Sequence, residues 1–161
     1  MISPSLRPYP CRLKALPGAP IYEFDTDGGL TYFIAFRHYN FPSPVLTRHG
    51  LVFDLELKSP GVDPGTDRRI EATVLAILQQ VLRRDPQTVI LWVCSAADQR
   101  AAARNRKFDR WYRDYVKKNG LTLIKKDSDP ALDQYVSLLY RADYPDRAAI
   151  DQIPLDDQDK L

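Results

Sequence analysis

The chain has 161 residues, enough for one domain with a real core, and its 44% hydrophobic and 27% charged residues fit a globular protein in water. No apolar run approaches the ~20 residues that span a bilayer. The segment M-I-S-P-S-L-R-P-Y-P lacks the apolar heart of a signal peptide, and Cys11, Cys94 and two histidines are too few for a disulfide or metal framework. A cytoplasmic, metal-free protein with no membrane partner is therefore expected. The net charge of +2 hides an uneven layout. Residues 1–99 balance, residues 100–126 carry ten basic against two acidic side chains, and residues 127–161 carry nine acidic against three basic. Such blocks point to an anion-binding surface, an acidic tail that covers it, or both.

Residues 1–20 hold five prolines and no periodic pattern, so they read as a leader arm, partly extended. In I-Y-E-F-D-T-D-G-G-L-T-Y-F-I-A-F, Tyr22 and Phe24 precede a tight turn at Asp27-Gly28-Gly29, and Tyr32, Ile34 and Phe36 share one face beyond it. This predicts a hairpin. F-P-S-P at 41–44 is loop. L-V-F-D-L-E-L alternates again, with Leu51, Phe53, Leu55 and Leu57 opposite Asp54 and Glu56, and makes a third strand. Thr66 or Asp67 is placed to cap a helix whose apolar stripe is Ile70, Val74, Ile77, Leu78 and Val81, and which Asp85-Pro86 ends. T-V-I-L-W-V-C is apolar nearly throughout, as a strand covered on both faces should be. A second helix runs to about Lys118 and stops at Asn119-Gly120. L-T-L-I-K-K and Q-Y-V-S-L-L-Y then read as closing strands.

The expected fold is therefore α/β in the α+β sense: one mixed sheet in the order β-β-β-α-β-α-β-β, with helices packed on it. The leader arm spans residues 1–20, a single domain residues 21–144, and a loosely held acidic tail residues 145–161.

The stretch W-V-C-S-A-A-D-Q-R, residues 92–100, places Cys94 and Arg100 at the spacing used by cysteine phosphatases. Their loop curls backbone N–H groups around a phosphate, which calls for glycine. Residues 95–99 have none, and Asp98 would oppose a dianion. Ser95-x-x-Asp98 fits a capping box better, so this stretch reads as a strand turning into a helix. On that helix Phe108, Trp111, Tyr112, Tyr115 and Val116 form an apolar face. Arg104 projects from its middle, Arg100 lies on its rim, and Arg106, Arg110, Arg113 and Lys117 lie outside. The binding candidates are Arg100, Arg104 and Trp111, guanidinium forks beside an aromatic plate, with Arg106, Lys107 and Arg110 around them. No catalytic or metal-ligating set emerges.

The element order over about residues 22–141 is similar to the core of the GNAT acyltransferases. Asp98-Gln-Arg-Ala101 resembles that family's N-x-x-A, and Tyr115…Gly120-Leu121 resembles its Y…G-F ending. The resemblance implies coenzyme A as cofactor, held at the N-terminus of the first core helix, and an acyl transfer activity. At that junction this chain has V-D-P-G-T-D-R-R, with one glycine and with Asp63 and Asp67 where phosphate would lie. Y-x-F-x-T-x-x-G-x-x-Y together with D-x-R-x-x-x-R-x-x-x-F-x-x-W also looks like a group of small bacterial proteins of unknown function. The expectation is a non-enzymatic binding or regulatory protein, without a cofactor, that engages an anionic partner through a basic aromatic helix. That partner is a protein (a second copy included), a nucleotide or a nucleic acid. The alternative is a GNAT-like acyltransferase using acyl-coenzyme A.

Overall fold

The computed structural model describes residues 7–16, 19–38, 50–58, 67–94, 106–114, 123–127 and 135–152. Seven strands form one mixed sheet: β1 (Arg12–Leu16), β2 (Ala19–Asp25), β3 (Thr31–His38), β4 (Gly50–Leu57), β5 (Val89–Cys94), β6 (Leu123–Asp127) and β7 (Tyr135–Arg141). Their spatial order is β1-β2-β3-β4-β5-β7-β6. Helix α1 spans Arg68–Arg84, α2 covers residues 106–114 and α3 spans Arg147–Asp151. From β2 to β7 the elements follow the expected order. The full order differs because an added strand precedes them and an added helix follows them.

Local chemistry accounts for most of these elements. In the β2–β3 hairpin the Gly29 N–H donates to the Thr26 carbonyl at 3.0 Å, and the Thr26 N–H donates to the Leu30 carbonyl at 2.8 Å. Gly29 takes φ +82, the left-handed residue that a three-residue hairpin loop requires. Gly28 does not share that conformation. Asp67 caps α1 through a 2.9 Å bond from the Arg69 N–H, a contact contributing about 1 kcal/mol. Asp85 ends the helix with extended backbone. The stripe on α1 is as expected at Ile70, Val74, Ile77 and Leu78, with Thr73 and Leu82 also buried.

Alternation along the strands sorts side chains onto two faces. One face carries the main core under α1 and α2, where a row of rings crosses the sheet. Phe36 meets Phe53 at 5.7 Å, Phe53 stacks on Trp92 at 4.6 Å, and Trp92 lies on Phe108 of α2 at 4.3 Å and 4°. Among the described residues the opposite face is most deeply buried toward β5 and β7, where Val89, Leu91, Leu138 and Tyr140 are all but inaccessible and Tyr144 and Ile150 are buried as well. Arg147 and Asp151 of α3 lie within electrostatic reach of Tyr140. This second layer explains why β5 is apolar at successive positions, and the cover comes from the segment expected to be a loosely held tail. Ile150 is fully buried.

β4 and β5 run parallel across the α1 crossover, with Gly50↔Val89 to Phe53↔Trp92 in register. β7 lies between β5 and β6 and is antiparallel to both. The second crossover therefore skips a strand position.

The leader arm is part of the fold. β1 pairs with β2 from Arg12↔Glu23 to Leu16↔Ala19. Before it, Tyr9 is buried, stacked on Phe24 at 6.0 Å, with the Arg69 guanidinium 3.9 Å from its ring centre. Its hydroxyl donates to Asp67 Oδ2 at 2.6 Å and accepts the Asp27 N–H at 3.2 Å. Its backbone N–H donates to Thr73 Oγ1 at 2.8 Å. One residue thus ties the arm to the start of α1 and to the β2–β3 turn. Among the described residues no helix is long and apolar enough to cross a membrane.

Candidate functional site

Helix α2 stands on the sheet through its aromatic side. Phe108 and Trp111 are buried and Tyr112 packs against the same core. The stack of Phe108 on Trp92 fixes the helix's rotation about its axis. Its opposite side is thereby set toward water.

Arg106, Lys107, Arg110 and Arg113 are all exposed. At about 100° per residue, Arg106, Arg110 and Arg113 fall within an arc of about 60° and form a strip roughly 10 Å long. Lys107 lies off the strip, its ammonium 5.2 Å from the Trp111 ring centre. Among the described residues, no ion pair or side-chain hydrogen bond holds Arg106, Arg110 or Arg113.

The cations near the other end of the sheet are arranged differently. Arg12 reaches Glu23 at 2.7 Å and Asp25 at 2.6 Å, Arg37 meets Asp54 at 2.8 Å, and Arg69 meets Asp27 at 3.0 Å. The Lys14 ammonium stands 2.6 Å from Glu23 Oε2, a charge contact outside hydrogen-bond geometry. Lys14 and Arg12 together hold the Glu23 carboxyl below its ordinary range. Arg12 and Thr31 hold Asp25 down to about 2. These charges are already answered within the fold.

The structure brings together three of the six residues singled out from sequence, Arg106, Lys107 and Arg110, on one exposed helix surface. Trp111 is 4% exposed, so its ring serves to anchor the helix and has little face left for a ligand. Arg100 and Arg104 lie outside the described residues, as do Ser95, Asp98, Lys117 and the Asn119-Gly120 stop. Cys94 ends β5 opposite Tyr135. Arg113 was not among the six. Its signal was in the sequence, because it stands three residues beyond Arg110 and seven beyond Arg106, and so repeats on one helix face.

Among the described residues no group of three histidine, cysteine, aspartate or glutamate side chains could hold a metal ion. At the start of α1 the Asp67 carboxylate already takes the Arg69 N–H and the Tyr9 hydroxyl. A negative group therefore sits where that helix end would otherwise attract phosphate.

No curated protein and no solved structure matches the chain. Residues 66–143, which run from the cap of α1 through α2 to just past β7, match a family described as a family of unknown function, DUF6169. The expected resemblance to a family of unknown function, drawn from two motifs together, holds over this span, which includes D-x-R-x-x-x-R-x-x-x-F-x-x-W at 98–111 but not Y-x-F-x-T-x-x-G-x-x-Y at 22–32.

Proposed function

We propose that this is a non-enzymatic binding or regulatory protein that engages an anionic partner, a protein, nucleotide or nucleic acid, through the exposed face of α2. The observation that carries the reading is the strip of Arg106, Arg110 and Arg113, three guanidiniums in water with no carboxylate answering them among the described residues. A guanidinium is always charged and presents a planar fork suited to carboxylate and phosphate oxygens. Because Phe108 and Trp111 are packed in the core, the helix presents that strip rigidly, and little ordering entropy is lost on binding.

The test is a titration of a labelled single-stranded oligonucleotide and a labelled poly-glutamate peptide against the wild type and Arg106→Glu/Arg110→Glu/Arg113→Glu. The reading predicts binding to at least one probe that the triple variant loses, at an unchanged unfolding temperature. Binding that the variant leaves intact, or no binding to either probe, would refute it.

Acyl transfer is the second reading. It is supported by the order from β2 to β7 and by the β4–β5 ladder, which ends at Phe53↔Trp92 while β4 continues to Leu57. The stacked rings of Phe53, Trp92 and Phe108 beside that parting, and the Asp67 cap, rank it second. Coenzyme A that raised the unfolding temperature in a saturable way would reverse the ranking.

A further inference from the structure

A different part of the molecule, at the far edge of the sheet, has the makings of a peptide site. Among the described residues β1 is a terminal strand, paired with β2 on one side only. The backbone N–H and C=O groups along its other side are a template for one more strand. Strand alternation puts Cys11 and Leu13 on the side facing α1 and Arg12 and Lys14 on the other. Leu13 is 52% exposed, uncommon for a large apolar side chain in the middle of a short strand.

Between β1 and α1 runs an open cavity of about 310 Å³. Cys11, Leu13, Tyr22 and Ile77 line its apolar stretch, and Gln80 and Arg84 stand at one end. From Thr73 to Arg84 the helix rises about 16 Å, the length of roughly five residues of extended chain. Among the described residues no ion pair holds Arg84, which is exposed. The groove therefore combines an open strand edge, an apolar trough of matching length, and a free guanidinium where the trough ends.

We infer that this groove binds an extended peptide segment that adds to the sheet beside β1. Apolar side chains at alternate positions of that peptide lie over Leu13 and Ile77, and a carboxylate meets Arg84. Backbone pairing provides affinity and the alternate side chains select the sequence, as in other strand-addition sites. A second copy of this chain is a poorer occupant. The β1 sequence R-L-K-A-L carries two cations and no carboxylate, so self-pairing sets like charges beside one another. The inference does not depend on α2, because β1 and β5 are four strand spacings apart, about 19 Å.

The test uses fluorescence anisotropy with the labelled pentapeptide Val-Thr-Val-Thr-Glu and a panel replacing each valine by leucine, isoleucine or phenylalanine. Saturable binding is expected for at least one member, weakened about tenfold or more by Leu13→Asp and by Arg84→Glu. A peptide ending in lysine should bind Arg84→Glu better than the glutamate peptide does, and N-methylation of alternate peptide amides should abolish binding. The inference falls if no panel member binds below about 1 mM, or if binding ignores both substitutions. It also falls if light scattering shows a wild-type dimer that Leu13→Asp converts to monomer, since the groove would then belong to a second copy. Because Leu13 and Arg84 are exposed, both variants should unfold at the wild-type temperature, which thermal melts will check.

Discussion

The outer face of β1–β3 and the outer face of α2 both carry exposed cations, but the two sets are in different chemical situations. Arg12, Lys14 and Arg37 each face a carboxylate across a neighbouring strand. Arg106, Arg110 and Arg113 face water. A cross-strand pair uses its charge to fix register and contributes modestly to stability. An unanswered cation contributes nothing inside the fold and repels its neighbours, so its use lies with whatever approaches from outside. Substitutions should therefore divide: changes in the N-terminal region affect folding, and changes on α2 affect binding.

The largest expected effect is on binding. Reversing Arg106, Arg110 and Arg113 together should weaken the anionic probe by about a hundredfold, equivalent to about 2.7 kcal/mol, with the melting temperature unchanged. A melting temperature that fell in step would mean that these side chains serve the fold and would erase the contrast.

Next comes Tyr9. Tyr9→Phe keeps the ring between Arg69 and Phe24 but leaves the buried side of Asp67 without its donor. It should cost about 1–2 kcal/mol by urea unfolding and leave probe affinity untouched. Burial and the bond to Asp67 also raise the Tyr9 hydroxyl above its usual range. Its folded pKa thus exceeds the unfolded one, near 10. The stability it contributes is complete below that pH and fades as pH rises through the folded value. Alkaline unfolding should flatten in Tyr9→Phe.

A smaller effect concerns acid. With Asp25 held at about 2 in the folded chain and near 3.9 when unfolded, its contribution is present above about pH 4 and is lost between there and about pH 2. Asp25→Asn should reduce the pH dependence of stability in that window and change nothing at pH 7 binding. The smallest effect is the control for the whole comparison. Arg12→Gln with Lys14→Gln should change probe affinity by less than about twofold, although it removes two exposed cations.

Much of this was legible from residues alone. Phe24, Tyr32, Ile34 and Phe36 alternate cleanly, Gly29 marks its turn, and Asp67 and Asp85 bound α1, because each of these signals is local. β1 was not legible. In R-P-Y-P-C-R-L-K-A-L the prolines mask a five-residue strand whose partner is supplied only by the hairpin turn that follows. The burial of Ile150 was equally hidden, since nothing local in D-Y-P-D-R-A-A-I-D-Q marks it as part of a second layer. For the candidate site, the block of positive charge located α2, and helical spacing separated Phe108 and Trp111 from Arg106 and Arg110. What spacing does not reveal is pairing. Whether a cation meets a carboxylate depends on tertiary placement: cross-strand register sets Glu23 beside Arg12, whereas among the described residues no ion pair holds Arg113.

The most direct test is the salt dependence of oligonucleotide binding, measured for the wild type, the α2 triple variant and the Arg12→Gln/Lys14→Gln variant. Each phosphate contact released contributes about 0.7 to the slope of log affinity against log salt for a single strand. Losing three guanidiniums should lower that slope by about 2, while the sheet variant keeps the wild-type slope. Equal slopes for all three proteins, or a larger fall in the sheet variant, would contradict the assignment of binding to α2.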